Sequence, residues 1–231
     1  MPAKTSTAGL EPIRELPKAL LTALHEAGHC AVALQKGLCV EGIHIRKEGN
    51  FLGSCLTSDP TPTKPCRTYK AFRELRNGSV VLGKPPPPRQ TTEQLENWLQ
   101  VCLGGLAAEG AVFGCCRRDG EDWDRAVSIS QRLNRRQPDF TWPILRPDLF
   151  RDRRYGQATK ARISWACWEA VMIVLDQCQF VRAVIVELAA RGQIKSERIQ
   201  TLRTLHFKTK PRSFCDDEAR NIIREALEKK G

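Results

Sequence analysis

The amino-acid sequence predicts a mainly α fold: a compact helical domain with a small β element placed directly after its first helix. Three observations carry that expectation. The stretch Ala19 to Leu34 is apolar on nearly every helical face and is followed by Gly37, the pattern of a largely buried helix with a C-terminal stop. Helical patterns recur over most of the chain, at Thr91 to Val112, Trp123 to Leu133, Ala161 to Arg191 and Asp216 to Lys229. Strand composition appears in two short runs, Val40 to Ile45 and Phe51 to Thr57.

Taken in order, residues 1–14 read as a flexible arm, and Glu15 to Lys36 as the first helix. The two strands are joined by the turn Lys47-Glu48-Gly49-Asn50. Residues 58–92 form a Pro-rich insertion. Within it, Asp59 to Cys66 carries three prolines and reads as a loop, Arg67 to Leu75 as a short helix, and Lys84-Pro85-Pro86-Pro87-Pro88-Arg89 as a stiff polyproline spacer. Thr91, followed by Gln94, supplies a hydroxyl cap for the next helix. Gly104 and Gly105 inside that helix each cost roughly 1 kcal/mol, which predicts close approach of another helix, the first one above all. Asp122 opens the helix Trp123 to Leu133, which ends before Pro138 to Pro147. Trp165, Trp168, Met172 and Val181 read as core, within a body of residues 15–205 followed by a helical extension, 206–231.

At 231 residues and 41% hydrophobic content, the chain can bury one substantial core. The ten cysteines, with no apolar leader at Met1 to Thr7, suggest free thiols in a reducing, cytoplasmic setting. No Cys-x-x-Cys pair occurs, so a zinc knuckle is not expected, and the adjacent Cys115 and Cys116 are poorly placed to chelate one ion together. A net charge of +11 suits a solvated basic face or an acidic partner; nucleic acid is the weaker reading, because aromatic residues make up only 6% and no recognised binding motif is present. No apolar run is long enough to cross a membrane, and no phosphate-binding Gly-x-x-x-x-Gly-Lys-[Ser/Thr] loop is present, so neither a transmembrane segment nor an ATPase is expected in this chain.

The chemistry concentrates at His25-Glu26-Ala27-Gly28-His29, which holds half of the chain's four histidines. Residues four apart share a helix face, so two imidazoles can grip one ion from the same side while Glu26 projects to its edge. Burying two imidazoles and a carboxylate without a partner would be costly, and a metal removes that cost. A third ligand must come from elsewhere. His44 lies in a strand-like run and reads as facing solvent or substrate, while His206 reads as a structural histidine near a helix end.

Three ordered segments carry a resemblance. Leu24 to His29, then Leu103-Gly104-Gly105-Leu106-Ala107-Ala108-Glu109 with Phe113-Gly114, then Glu121-Asp122-Trp123-Asp124-Arg125-Ala126 resemble, in that order, the zinc helix, the Leu-Gly-Gly-Arg-Ala-Ala-Glu helix and the Asn-Asp-Leu-Glu-Arg-Ala segment of the FtsH-type zinc peptidase domain. The likeness covers most of residues 15–205. Leu106 stands where the family has Arg, and Gly110 where a second acidic residue is usual. The resemblance implies one Zn²⁺ held by His25, His29 and Asp122, with Glu109 as the runner-up ligand or as a hydrogen-bond partner of a zinc histidine. Read from its position alone, Asp122 can also be a helix cap.

The function this implies is hydrolysis of peptide bonds in polypeptide substrates, with Glu26 accepting and returning the proton of the attacking water. The strand at Phe51, Leu52, Gly53 and Ser54 would align an extended substrate along its edge, and His44 would steady the transition-state oxygen. Substrate would be delivered by a separate ATPase or met by a homo-oligomer. The alternative is a catalytically silent module that binds an acidic partner or nucleic acid through its basic surface.

Overall fold

The computed structural model describes residues 17–48, 50–58, 90–114, 120–144, 150, 155–207 and 216–228. The expected arm at 1–14, the short helix at Arg67 to Leu75, the polyproline run and the Cys115-Cys116 pair lie outside them. Helix α1 (Lys18–Gln35) leads into an antiparallel hairpin, β1 (Cys39–Glu48) and β2 (Asn50–Ser58). Helices α2 (Thr92–Phe113), α3 (Glu121–Arg136), α4 (Gln157–Asp176) and α5 (Cys178–Arg191) follow. The short strand β3 (Gln193–Lys195) then precedes α6 (Ser196–His206) and α7 (Asp216–Glu228). The protein is mainly α with a small three-stranded sheet, ordered β2-β1-β3.

Helix α1 is the centre of the molecule because its sequence has almost no polar face to offer water. Leu20, Leu24, Ala27, Ala31 and Leu34 all lie in the main core. It stops where Gly37 adopts a left-handed φ of 74° and Leu38 N–H reaches back 2.9 Å to the Ala33 carbonyl, which satisfies an end-of-helix acceptor. Helix α2 starts at the expected cap: Thr91 Oγ1 accepts from Gln94 N–H at 3.1 Å, and the Gln94 side chain accepts from Thr91 N–H at 2.8 Å.

The glycines of α2 meet α1. A Cβ on Gly28 would overlap the Gly104 carbonyl, and one on Gly104 would lie 2.9 Å from the Gly28 oxygen. The two backbones therefore touch, and only hydrogen at both positions permits it. Helices α2, α3 and α4 enclose a second core from Leu95, Leu99, Leu103, Trp123, Leu133 and Ile163. Arg162, fully buried beneath it, donates to Asn134 Oδ1 and Gln137 and stacks 3.9 Å from the Phe140 ring centre.

Two expectations change. The helical stretch Ala161 to Arg191 is two helices, broken at the buried Gln177, whose side chain donates to Gln35 Oε1 at 3.3 Å. Residues 193–195, which the sequence does not mark as a strand, pair antiparallel with Gly42 to His44. The cause is Gly192: its left-handed φ of 74° ends α5, and its carbonyl accepts from Ile45 N–H at 2.8 Å, which turns the chain along β1. Of the expected core residues, Val181 is fully buried, whereas Trp168 is 41% exposed. Helix α7 joins the main core through Ala219, Ile223 and Leu227, and its Arg224 donates to the Val112 carbonyl at the C-terminal end of α2. Among the described residues, no helix is long and apolar enough to cross a membrane.

Candidate metal centre

His25 and His29 lie one turn apart on α1, their rings edge to face with centroids 4.7 Å apart. Each ring is held through Nδ1. His29 Nδ1 lies 2.6 Å from the Val101 carbonyl oxygen. A carbonyl only accepts, so this nitrogen carries the proton and donates. His25 Nδ1 lies 3.0 Å from Glu109 Oε1 and donates to that carboxylate. Both partners come from α2, and the Gly28–Gly104 contact is what brings α2 that close. Gly105 completes the arrangement, since any Cβ there would enter the His25 ring.

With Nδ1 occupied in this way, both Nε2 atoms turn toward one oxygen. Asp122 Oδ2 is 3.3 Å from His25 Nε2 and 3.2 Å from His29 Nε2. The three atoms form a group that could hold a metal ion, all within 4.8 Å of one another. Neutral rings protonated at Nδ1 present lone pairs at Nε2, and a carboxylate oxygen presents the same. Such a trio repels itself unless protons or a cation lie between its members. The side chain of His29 is 9% exposed and that of Asp122 33%, so the group opens to solvent on the Asp122 side.

Asp122 reaches this position because α3 starts abruptly. Gly120 takes φ 122°, in the left-handed region that favours glycine, and serves as the N-cap. Asp122 is then in the first turn, two residues past the N-cap, and its Oδ2 is turned to the histidines. The helix-cap reading of Asp122 is thereby replaced. The next residue, Trp123, is buried between Phe150 and Tyr155 and anchors the turn. Arg125 approaches the other oxygen, Oδ1, at 3.8 Å.

The electrostatics follow from this packing. Burial opposes the charge on His25, but hydrogen bonds to Asp122 and Glu109 outweigh it and the imidazole is pushed up to about 10. Burial likewise opposes ionisation of Asp122, and its hydrogen bonds to His25 and His29 prevail, holding the carboxyl well below the usual carboxylate range. The chain has built a place for positive charge.

Glu26 is only 5% exposed. Burial raises its carboxyl above the ordinary range, against the pull of His29 and His25. It accepts a hydrogen bond from the backbone N–H of Cys55 on β2, and Gly53 lies directly against it. Among the described residues, no thiol belongs to the group that could hold the ion. The Cys55 thiol is raised well above its ordinary value by its contact with Cys30 and by burial, and burial with the Asp122 charge pushes Cys102 up to about 12.

The structure therefore brings together His25, Glu26, His29, Glu109 and Asp122 from three helices. It does not bring in His44, which lies on β1 opposite Ser54 and Gln193 and lines a cavity of about 370 Å³ with Arg191 and Lys195. His206 ends α6, half-buried. Of the strand residues, Phe51 and Leu52 pair with Lys47 and Arg46, while Gly53 and Ser54 pair with Ile45 and His44. Sequence reasoning missed the Val101 carbonyl, a backbone group with no side-chain signature, and the seat that β2 makes for Glu26. The signal for the seat was the glycine at position 53. The chain matches no protein-family model and no curated protein.

Proposed function

We propose that this protein is a zinc-dependent metallopeptidase, similar in its peptidase domain to the FtsH-type enzymes. The observation that carries the reading is the convergence of His25 Nε2, His29 Nε2 and Asp122 Oδ2 beside the buried carboxylate of Glu26. Two imidazoles and one carboxylate are the donor set of a catalytic zinc with a position left for water. Two of the three separations fit as well. Ligands at about 2.0–2.2 Å from a tetrahedral ion are separated by about 3.3 Å, and the imidazole–carboxylate distances are 3.3 and 3.2 Å.

Zinc held there would supply Lewis acidity, polarising a substrate carbonyl and acidifying water. The chain's own residues do the rest. Glu109 and the Val101 carbonyl fix the tautomer and aim of the two imidazoles. Glu26, with a carboxyl raised above its ordinary range by burial, takes a proton from the attacking water and delivers it to the departing amine. Strand β2 is an outer strand of the sheet, and the part of its edge that Glu26 does not occupy would receive an extended peptide.

The test is metal content and hydrolysis measured together. Purified protein is expected to carry about one zinc per chain, lost in His29→Ala, and to cleave an unfolded polypeptide such as casein. Glu26→Gln is expected to keep the zinc and lose the cleavage. Wild type that folds yet refuses zinc would sink the proposal.

A further inference from the structure

The backbone of β2 touches the side chain that the proposed mechanism uses as its base, and it does so at two points. An antiparallel ladder turns alternate residues toward the partner strand and away from it. The backbone N–H of Cys55 goes to Glu26, which places Cys55, and with it Gly53 two residues earlier, in the outward-facing set of β2. At Gly53 the carboxylate fills the space a side chain would need. A Cβ built there overlaps Glu26 Oε1 and comes within 2.6 Å of both Cδ and Cγ. The Glu26 side chain is thus seated on the bare backbone of Gly53 and aimed by the N–H of Cys55, with 5% of its surface exposed. On α1, Cys30 lies one turn beyond Glu26 and its thiol meets that of Cys55. The two elements are docked side by side rather than touching at one point.

We propose that Gly53 and Cys55 are the positioning residues of the base: the missing side chain at 53 gives Glu26 its seat, and the N–H at 55 fixes its direction. The inference rests on the metallopeptidase reading for what Glu26 does, but not for where Glu26 is held. It links the strand that would receive an extended substrate to the carboxylate that handles the proton, so both share one rigid element. The prediction for Gly53→Ala is specific. The methyl group meets the far end of a flexible side chain, so the fold survives while the carboxylate swings away from its seat. Zinc binding, which uses His25, His29 and Asp122, is left in place.

The experiment compares zinc-loaded, ¹⁵N-labelled wild type, Gly53→Ala, Glu26→Gln and the control Gly110→Ala, whose new Cβ has nothing within 4 Å. In wild type the Cys55 amide proton should resonate as one bonded to a carboxylate. Glu26→Gln and Gly53→Ala should both move it upfield, and Gly110→Ala should not. With casein, Gly53→Ala should lose kcat by about 10²-fold or more with KM and zinc affinity unchanged. An unmoved Cys55 amide in Glu26→Gln, or wild-type kcat in Gly53→Ala, overturns the proposal. Should wild type itself show no cleavage, the metallopeptidase reading fails, and the amide shift alone decides the seat of Glu26. Should Gly53→Ala not fold, the same substitution in a Glu26→Ala background decides it. Recovery of the fold there supports the contact, and continued failure means the Cβ meets something other than Glu26.

Discussion

Glu109 and His25 face each other across the crossing of α2 and α1, with Glu109 Oε1 3.0 Å from His25 Nδ1. The carboxylate accepts a hydrogen bond from Nδ1 and leaves Nε2 aimed at Asp122. Without it the ring can choose the other tautomer or rotate. Glu109→Ala is expected to weaken zinc binding 10- to 100-fold, the usual cost of losing such a partner, and Glu109→Gln, which keeps an acceptor oxygen, to weaken it less. Competition against a chromophoric chelator measures both. Equal affinity in all three proteins would show that Glu109 does not hold the ring.

The contact between α1 and α2 is a separate source of sensitivity. A methyl group on Gly28 would run into the Gly104 carbonyl and lie 2.7 Å from Ala108 Cβ. Backbone cannot yield as a side-chain tip can. Gly28→Ala is expected to cost about 1–3 kcal/mol in urea unfolding of the metal-free protein, the range of an overpacked core. It should also weaken zinc binding, because α2 carries the partners of both imidazoles.

Gly110, on the same helix, makes the opposite prediction. It lies inside α2, and a Cβ there meets nothing within 4 Å. Gly110→Ala should therefore raise stability by about 0.5–1 kcal/mol, the helix-interior difference between the two residues. Urea midpoints with unchanged slope would establish it. A loss of stability would mean that α2 needs the glycine for a reason other than space.

The contrast among these glycines shows what the sequence could reveal. The His25–His29 spacing places two imidazoles on one helix face through periodicity alone, and Gly104 with Gly105 announces a close helix neighbour. Asp122 is local in sequence to neither, and it was legible only through the likeness of three ordered segments. The Val101 carbonyl was not legible, because any residue supplies a carbonyl and only the tertiary register selects one. Strand β3 was missed for a related reason. Three residues are too few to show a period, and their state is set by pairing with β1 rather than by propensity. The break at Gln177 carries no Pro or Gly, and helix-forming residues on both sides of it hid it.

The last prediction concerns pH. His25 lies above its unfolded value of 6.5, at about 10, in the metal-free protein, because Asp122 and Glu109 overcome the effect of burial. A group raised in the folded state contributes its full stability below the unfolded value and loses it as pH rises through the folded one. Asp122 is lowered from 3.8, so its contribution is present above that value and lost as pH falls. Both statements describe one contact, and it is complete only between roughly pH 4 and pH 6.5. In chelator, stability should therefore fall from about pH 6.5 toward about pH 10, by at most about 1.4 kcal/mol per pH unit. Zinc must displace the His25 proton to bind, so its affinity rises over the same interval. The zinc-induced increase in Tm should widen steadily as pH rises, and His25→Ala should abolish both trends. Thermal melts across the interval, with zinc and with chelator, provide the check. A zinc effect that is flat with pH would mean that the proton and the metal do not compete for Nε2 of His25.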